Sequence, residues 1–61
     1  MYFIATTDNV PRFYVFRAPQ FAPTLLDRLD IHAVSWFKTK QEARQAALRA
    51  GLRTWRYVIL V

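Results

Sequence analysis

The clearest pattern of apolar and polar positions lies in residues 36–52, WFKTKQEARQAALRAGL. Small apolar residues recur there at the three- and four-residue spacing of one helix face: Ala43, Ala46, Ala47 and Ala50. Thr39 with Glu42 has the spacing of a capping box, and Gly51 suits the left-handed position that ends a helix. The pattern therefore predicts a helix over about residues 39–50, with an alanine face that packs closely on a sheet.

Four other segments are rich in β-branched and aromatic residues and predict strands. They are residues 1–7, 12–17, 31–37 and 55–61. The turn-forming residues 8–11 (DNVP) separate the first two segments, which predicts an antiparallel hairpin with a loop of about four residues. The order strand, helix, strand in the second half predicts a right-handed crossover with the third and fourth strands parallel.

The connection between the second and third predicted strands contains two prolines in residues 18–23, so we expect it to leave the sheet. Thr24 with Asp27 resembles a helix start, and three leucines at helical spacing follow: Leu25, Leu26 and Leu29. They predict one or two turns of helix over residues 25–30. The predicted fold is α+β: one domain of residues 1–61, a small mixed sheet of about four strands and one main helix on one face, in the order ββ(α)βαβ.

Composition changes the interpretation of this sheet, because 54% of the residues are hydrophobic and 16% are aromatic. Side chains alternate across a strand, and both alternating sets of the predicted strands carry large apolar groups. One helix covers only one face. Three explanations are open for the other face. The residue 25–30 helix or the proline segment covers it or its exposed rings are tolerated, another protein covers it, or its rings stack on nucleic-acid bases.

Charge favours an acidic partner, since nine Lys and Arg residues against four Asp and Glu give a net charge of +5. The candidate partner-binding residues are Tyr14, Trp36, Trp55 and Tyr57, with Lys38, Lys40 and Arg56 as a basic rim. The sequence thus predicts a protein-binding module that contacts a second copy of itself or an acidic host protein through an aromatic sheet face. Nucleic-acid binding through the same face is the alternative.

Residues suited to catalysis are few. His32 is the only histidine and Ser35 the only serine, and no glycine elbow surrounds the serine. Asp27 and Asp30 flank Arg28, where two carboxylates are better suited to capping or pairing than to holding a metal. We therefore expect no enzyme activity, no catalytic residue, no metal, no cofactor and no small-molecule substrate.

Cysteine is absent, so neither disulfides nor thiolate metal sites contribute, as is typical of the reducing cytoplasm. The amino-terminal segment lacks the charged leader of a signal peptide, and the apolar run of residues 57–61 is far shorter than a membrane span. We expect a cytoplasmic protein with no membrane partner.

Residues 37–43, FKTKQEA, open the predicted helix directly after three predicted strands. This order of elements is similar to that of the three-stranded DNA-binding domains of phage integrases and AP2-type proteins. It is equally similar to short phage proteins that bind host enzymes such as RNA polymerase, which implies an accessory protein of a phage or mobile element. The similarity covers element order and a capping box, and it assigns no family.

Overall fold

The computed structural model describes residues 1–17 and 22–60. Its strands are β1 (Tyr2–Ala5), β2 (Phe13–Val15), β3 (Thr24–Leu26) and β4 (Arg56–Ile59), and its helix is α1 (Lys40–Arg49). The strands form one sheet in the order β3-β2-β1-β4, and every neighbouring pair is antiparallel. The predicted α+β class, with a four-stranded sheet and one main helix, is confirmed within the described residues. The predicted mixed sheet is wrong.

Both ends of α1 lie where the sequence places them. The Thr39 hydroxyl accepts a hydrogen bond from the Glu42 N–H at 3.1 Å, which satisfies one of the free donors of the first turn. Gly51 has a φ of 80°. Its N–H donates to the Leu48 carbonyl, and the Leu52 N–H donates to the Ala47 carbonyl, both at 3.1 Å. These two bonds form a Schellman motif, which ends the helix by satisfying its last carbonyls.

We expect Gly51→Val to lower the free energy of unfolding by at least about 1 kcal/mol, because a β-branched residue is strained at this φ. A Cβ at this position would meet no neighbouring atom within 4 Å, so the cost arises from the backbone alone. Urea denaturation measures it. Gly51→Asn is the control and should lose clearly less, because asparagine tolerates the left-handed region. Equal stability of the valine variant and the parent would contradict the helix end described here.

The alanine face of α1 packs on the centre of the sheet. Ala43 and Ala47 are fully buried against Ile4 of β1, and Ala46 and Ala50 are half-buried. Methyl groups at these positions allow the helix axis to lie close to β1. We call this the helix side of the sheet.

Residues 24–26 differ from the prediction of a short helix. They form β3, an edge strand that pairs with β2 in the register Val15↔Thr24, Tyr14↔Leu25 and Phe13↔Leu26. The predicted helix over residues 25–30 is therefore wrong. The leucine spacing that indicated a helix is overridden by backbone pairing with β2, which local sequence does not report.

Residues 31–37 differ from the predicted third strand. The N–H groups of Ala33 and Val34 both donate to the Asp30 carbonyl, at 3.0 and 2.8 Å, and the Asp30 side chain accepts from the His32 N–H at 2.9 Å. Asp30 thereby holds a turn where strand composition predicted extended chain. Phe37 alone joins the sheet, through a bridge to Tyr2.

The third and fourth predicted strands keep the predicted common direction only at Phe37. Phe37 and β4 are both antiparallel to β1, so they run the same way, but they do not pair with each other. β4 pairs instead with β1, from Tyr2↔Ile59 to Ala5↔Arg56. The position of β4 follows from the length of α1. The chain leaves the sheet at Phe37, beside Tyr2, and then forms α1. The ten residues of α1 span about 15 Å along the helix axis, which is close to the length of β1. The chain therefore re-enters at the Ala5 end of β1, from which β4 runs back.

The predicted first hairpin is confirmed. Ala5 pairs with Phe13, and the Thr6 N–H donates to the Arg12 carbonyl at 2.8 Å, so the loop itself spans residues 7–11. Asp8 in the loop and Arg12 just after it form an exposed ion pair at 3.3 Å, which adds at most about 1 kcal/mol. The predicted exit of residues 18–23 from the sheet falls largely on residues 18–21, and these lie outside the described residues, as does Val61.

The second side of the sheet, opposite α1, is covered at its centre. Phe3 and Ala5 alternate with Ile4 and therefore face the second side, yet both are 0% exposed. Val34 in the connection between β3 and α1 is 3% exposed, and we infer that this connection crosses the second side. Of the three explanations open for this face, coverage by the chain itself applies at its centre, where the connection that contains Val34 takes the place of the predicted residue 25–30 helix.

Candidate interaction surface

The structure does not bring the seven candidate residues together on one face. Tyr14, Trp55 and Tyr57 lie on the helix side with Lys40, whereas Trp36 and Arg56 lie on the second side and Lys38 is exposed just before α1. The predicted aromatic face is thus divided between the two sides of the sheet. The rings of the group on the helix side pack in the core, whereas the group on the second side is exposed to solvent.

On the helix side, Trp55 and Tyr57 serve the packing of α1. Their rings meet edge to face, with centroids 6.4 Å apart and an interplanar angle of 88°. The ammonium nitrogen of Lys40 lies 5.1 Å from the centroid of the Tyr57 ring, a cation–π contact. Both rings are half-buried and pack against the cluster of Ile4, Ala43 and Ala47. They act mainly as part of the core.

Tyr14 belongs to a second row of rings on the same side. It stacks on Phe16, with centroids 5.9 Å apart, and Phe16 meets Phe37 edge-on at 6.0 Å. The Ser35 hydroxyl accepts from the Phe16 N–H at 2.8 Å and donates to its carbonyl at 3.3 Å. Ser35 thereby attaches the connection to the end of β2, and the Tyr14 ring is engaged inside the molecule.

On the second side, Trp36 is the most exposed ring, with 51% of its surface accessible. Phe37 packs on the helix side, and we infer from the alternation of side chains around its bridge to Tyr2 that Trp36 faces the second side. Met1 and Leu60 reach the same side at the adjoining strands, where they exchange two backbone hydrogen bonds of 2.9 Å, and they are 42% and 41% exposed. We call these three residues, with half-buried Val58, the Trp36 patch.

Two basic residues lie close in the chain to members of the Trp36 patch: Lys38 two residues after Trp36, and Arg56 two residues before Val58. Lys38 is exposed and follows the Phe37 bridge to β1. Arg56 lies on the same side of β4 as Val58 and Leu60, and its guanidinium donates to the Asp8 carbonyl at a long 3.4 Å. The patch therefore combines exposed apolar groups with a basic rim.

Sequence reasoning missed some exposed apolar residues and one depression. Met1, Leu60 and Ile59 were not singled out, because which alternating set of β4 faces solvent depends on its register with β1. An open depression lies at the start of β4 and is lined by Thr7, Arg53, Thr54, Trp55 and Tyr57. Within residues 1–17 and 22–60, no cluster of three or more His, Asp or Glu side chains could hold a metal ion.

The helical structure in the described part of the chain is too short and too polar to cross a membrane. Comparison with known proteins found no matching family model, no matching curated protein and no matching solved structure.

Proposed function

We propose that this chain is a small non-enzymatic binding module that contacts an acidic protein through the Trp36 patch. The observation that carries the proposal is exposure: Trp36 is 51% exposed, and Met1 and Leu60 are 42% and 41% exposed. Aromatic and long apolar side chains grouped on a surface are typical of binding hot spots, and they gain free energy when a partner removes them from water. A cytoplasmic setting belongs to the proposal, because the chain has no cysteine that would need an oxidising compartment.

Charge supports an acidic partner. The chain carries a net charge of +5, and Lys38 and Arg56 lie close in the chain to members of the patch. Rim charges of this kind mainly accelerate encounter with a partner of opposite charge, while the buried centre of the interface supplies most of the affinity. Lys40 is less suited to this role, because it lies over the Tyr57 ring on the helix side.

Nucleic-acid binding is the second candidate, and the positive net charge favours it. Sequence-tolerant binding of single strands needs several free ring faces on which successive bases stack. Here Tyr14 stacks on Phe16, and Lys40 covers a face of Tyr57. Trp36 alone offers a largely free ring among the candidate residues, which favours the protein partner.

The test separates the two candidates by probe and by variant. Labelled single-stranded and duplex DNA and RNA of about 20 nucleotides are titrated at a physiological salt concentration of about 0.15 M, and we expect no binding tighter than micromolar. In parallel, a protein that co-purifies with the chain is identified, purified and titrated against the parent and Lys38→Glu. We expect the variant to associate more slowly with little change in dissociation rate.

Tight nucleic-acid binding that falls steeply with salt, is lost in Lys38→Glu and persists in Trp36→Ala would contradict the protein-binding proposal. Such a pattern would assign the affinity to phosphate contacts rather than to the apolar patch.

A further inference from the structure

The two edges of the sheet differ in how well they are protected. β3 has three residues and follows Pro23, which limits backbone pairing at that edge. β4 forms the other edge, contains no proline, and carries a single charged residue, Arg56, at its start. Ile59 on β4 is 59% exposed. In the described chain, β4 is therefore the edge that is open to another strand.

Backbone groups of β4 point outward at two residues. Met1 and Leu60 exchange both of their backbone hydrogen bonds, at 2.9 Å each. Bonded pairs alternate along an antiparallel ladder, so the register makes Phe3↔Val58 and Ala5↔Arg56 the next bonded pairs. The N–H and C=O groups of Tyr57 and Ile59 consequently point away from β1. They supply two donors and two acceptors at the spacing that an added strand requires.

We propose that the β4 edge binds an extended acidic segment of the partner as a fifth strand of the sheet, a mode of recognition that rests on the proposed function. Charge complementarity selects this occupant. Arg56 would lie beside the added strand on the second side, and Lys40 lies near it on the helix side, over Tyr57. In a segment that alternates acidic and apolar residues, the acidic side chains would face Arg56 on the second side and the apolar side chains would cover Ile59 on the helix side. A second copy would instead bring another net charge of +5 to this edge.

Two end-capped peptides of about eight residues, one alternating valine with glutamate and one alternating valine with lysine, are the probes. Each is titrated against the full chain, with backbone amide chemical shifts and calorimetry as readouts. We expect the glutamate peptide to bind at least about tenfold more tightly than the lysine peptide. We expect the largest amide shifts at Tyr57 and Ile59, whose N–H groups would become hydrogen-bonded.

Matched variants separate the backbone contribution from the side chain. Ile59→Pro removes an outward N–H and should weaken binding of the glutamate peptide by about tenfold, whereas Ile59→Ala keeps the N–H and should weaken it less than about threefold. Arg56→Glu should reverse the preference between the two peptides. That reversal tests the proposal even if β4 does not tolerate a proline.

The proposal is overturned if the glutamate peptide does not bind the parent, or if Ile59→Pro and Arg56→Glu both bind it as the parent does. Concentration-dependent dimerisation that is lost in Ile59→Pro, without peptide binding, would assign the edge to a second copy and overturn the acidic strand. The two peptides pair only with the β4 edge, so their titration does not involve the Trp36 patch. A failure of the edge proposal is thus distinguishable from a failure of the Trp36 patch, which is tested with the natural partner.

Discussion

Replacing Phe3 by alanine is expected to lower the free energy of unfolding by about 3 to 5 kcal/mol. Phe3 is 0% exposed although it faces the second side of the sheet, so its removal leaves a cavity beneath the connection between β3 and α1. A chain of 61 residues has a total stability of about 3 to 9 kcal/mol, so this loss removes at least about a third of it. Far-UV circular dichroism at 25 °C and urea denaturation measure the loss.

Phe13→Ala is the matched control, because Phe13 lies on the same side of the sheet, pairs with Ala5 and is only half-buried. It should lose clearly less stability than Phe3→Ala. Phe3→Leu keeps most of the buried volume and should remain folded, so its urea midpoint can be measured even if the alanine variant does not fold. Equal and small losses at Phe3 and Phe13 would show that the second side is open.

The helix could be predicted from sequence because short-range interactions decide it. At the start of α1 the Thr39 hydroxyl accepts a hydrogen bond from the Glu42 N–H, three residues away. At its end Gly51 adopts a positive φ, which is a property of the residue itself. Alanines at helical spacing fix the buried face, whatever sheet lies beneath it. The first hairpin is equally local, since the loop between β1 and β2 is short and carries turn-forming residues.

Residues 24–37 could not be predicted in this way, because pairing with a distant segment decides residues 24–26 and a turn at Asp30 overrides the strand composition of residues 31–37. Leu25 and Leu26 suit a helix or a strand, and the choice is made by β2, which pairs with them from ten residues away or more. Residues 31–37 have strand composition, but Asp30 draws the N–H groups of Ala33 and Val34 into a turn. A three-residue strand leaves little periodicity to detect.

The sequence predicted which types of residue form the candidate surface, but it did not predict on which side of the sheet each of them lies. Aromatic excess and positive charge indicated interaction through rings with a basic rim, and Trp36 with Lys38 and Arg56 retains that combination on the second side. Tyr14 and Tyr57 are also aromatic residues in strands, but their rings contact other side chains of the same chain: Phe16 and Lys40, respectively. Exposure depends on register between β1 and β4 and on the placement of α1, which alternation alone does not specify.

The two tryptophans should therefore respond differently to the same substitution. Trp55→Ala is expected to lower the free energy of unfolding by about 2 to 3 kcal/mol, below the range for a fully buried ring, because Trp55 is half-buried against the core cluster and Tyr57. Trp36→Ala should change it by less than about 0.5 kcal/mol, since half of this ring is already in water. Urea denaturation of the two variants beside the parent measures both.

Binding of the purified protein partner should show the opposite order. Trp36→Ala is expected to weaken the complex by about 2 kcal/mol or more, about 30-fold in Kd, because the ring would be buried at the centre of the interface. Trp55→Ala, measured at a temperature where circular dichroism shows it folded, should stay within about threefold of the parent. If the partner binds Trp36→Ala as tightly as the parent but does not bind folded Trp55→Ala, the interface lies instead at the depression lined by Thr7, Arg53 and Thr54.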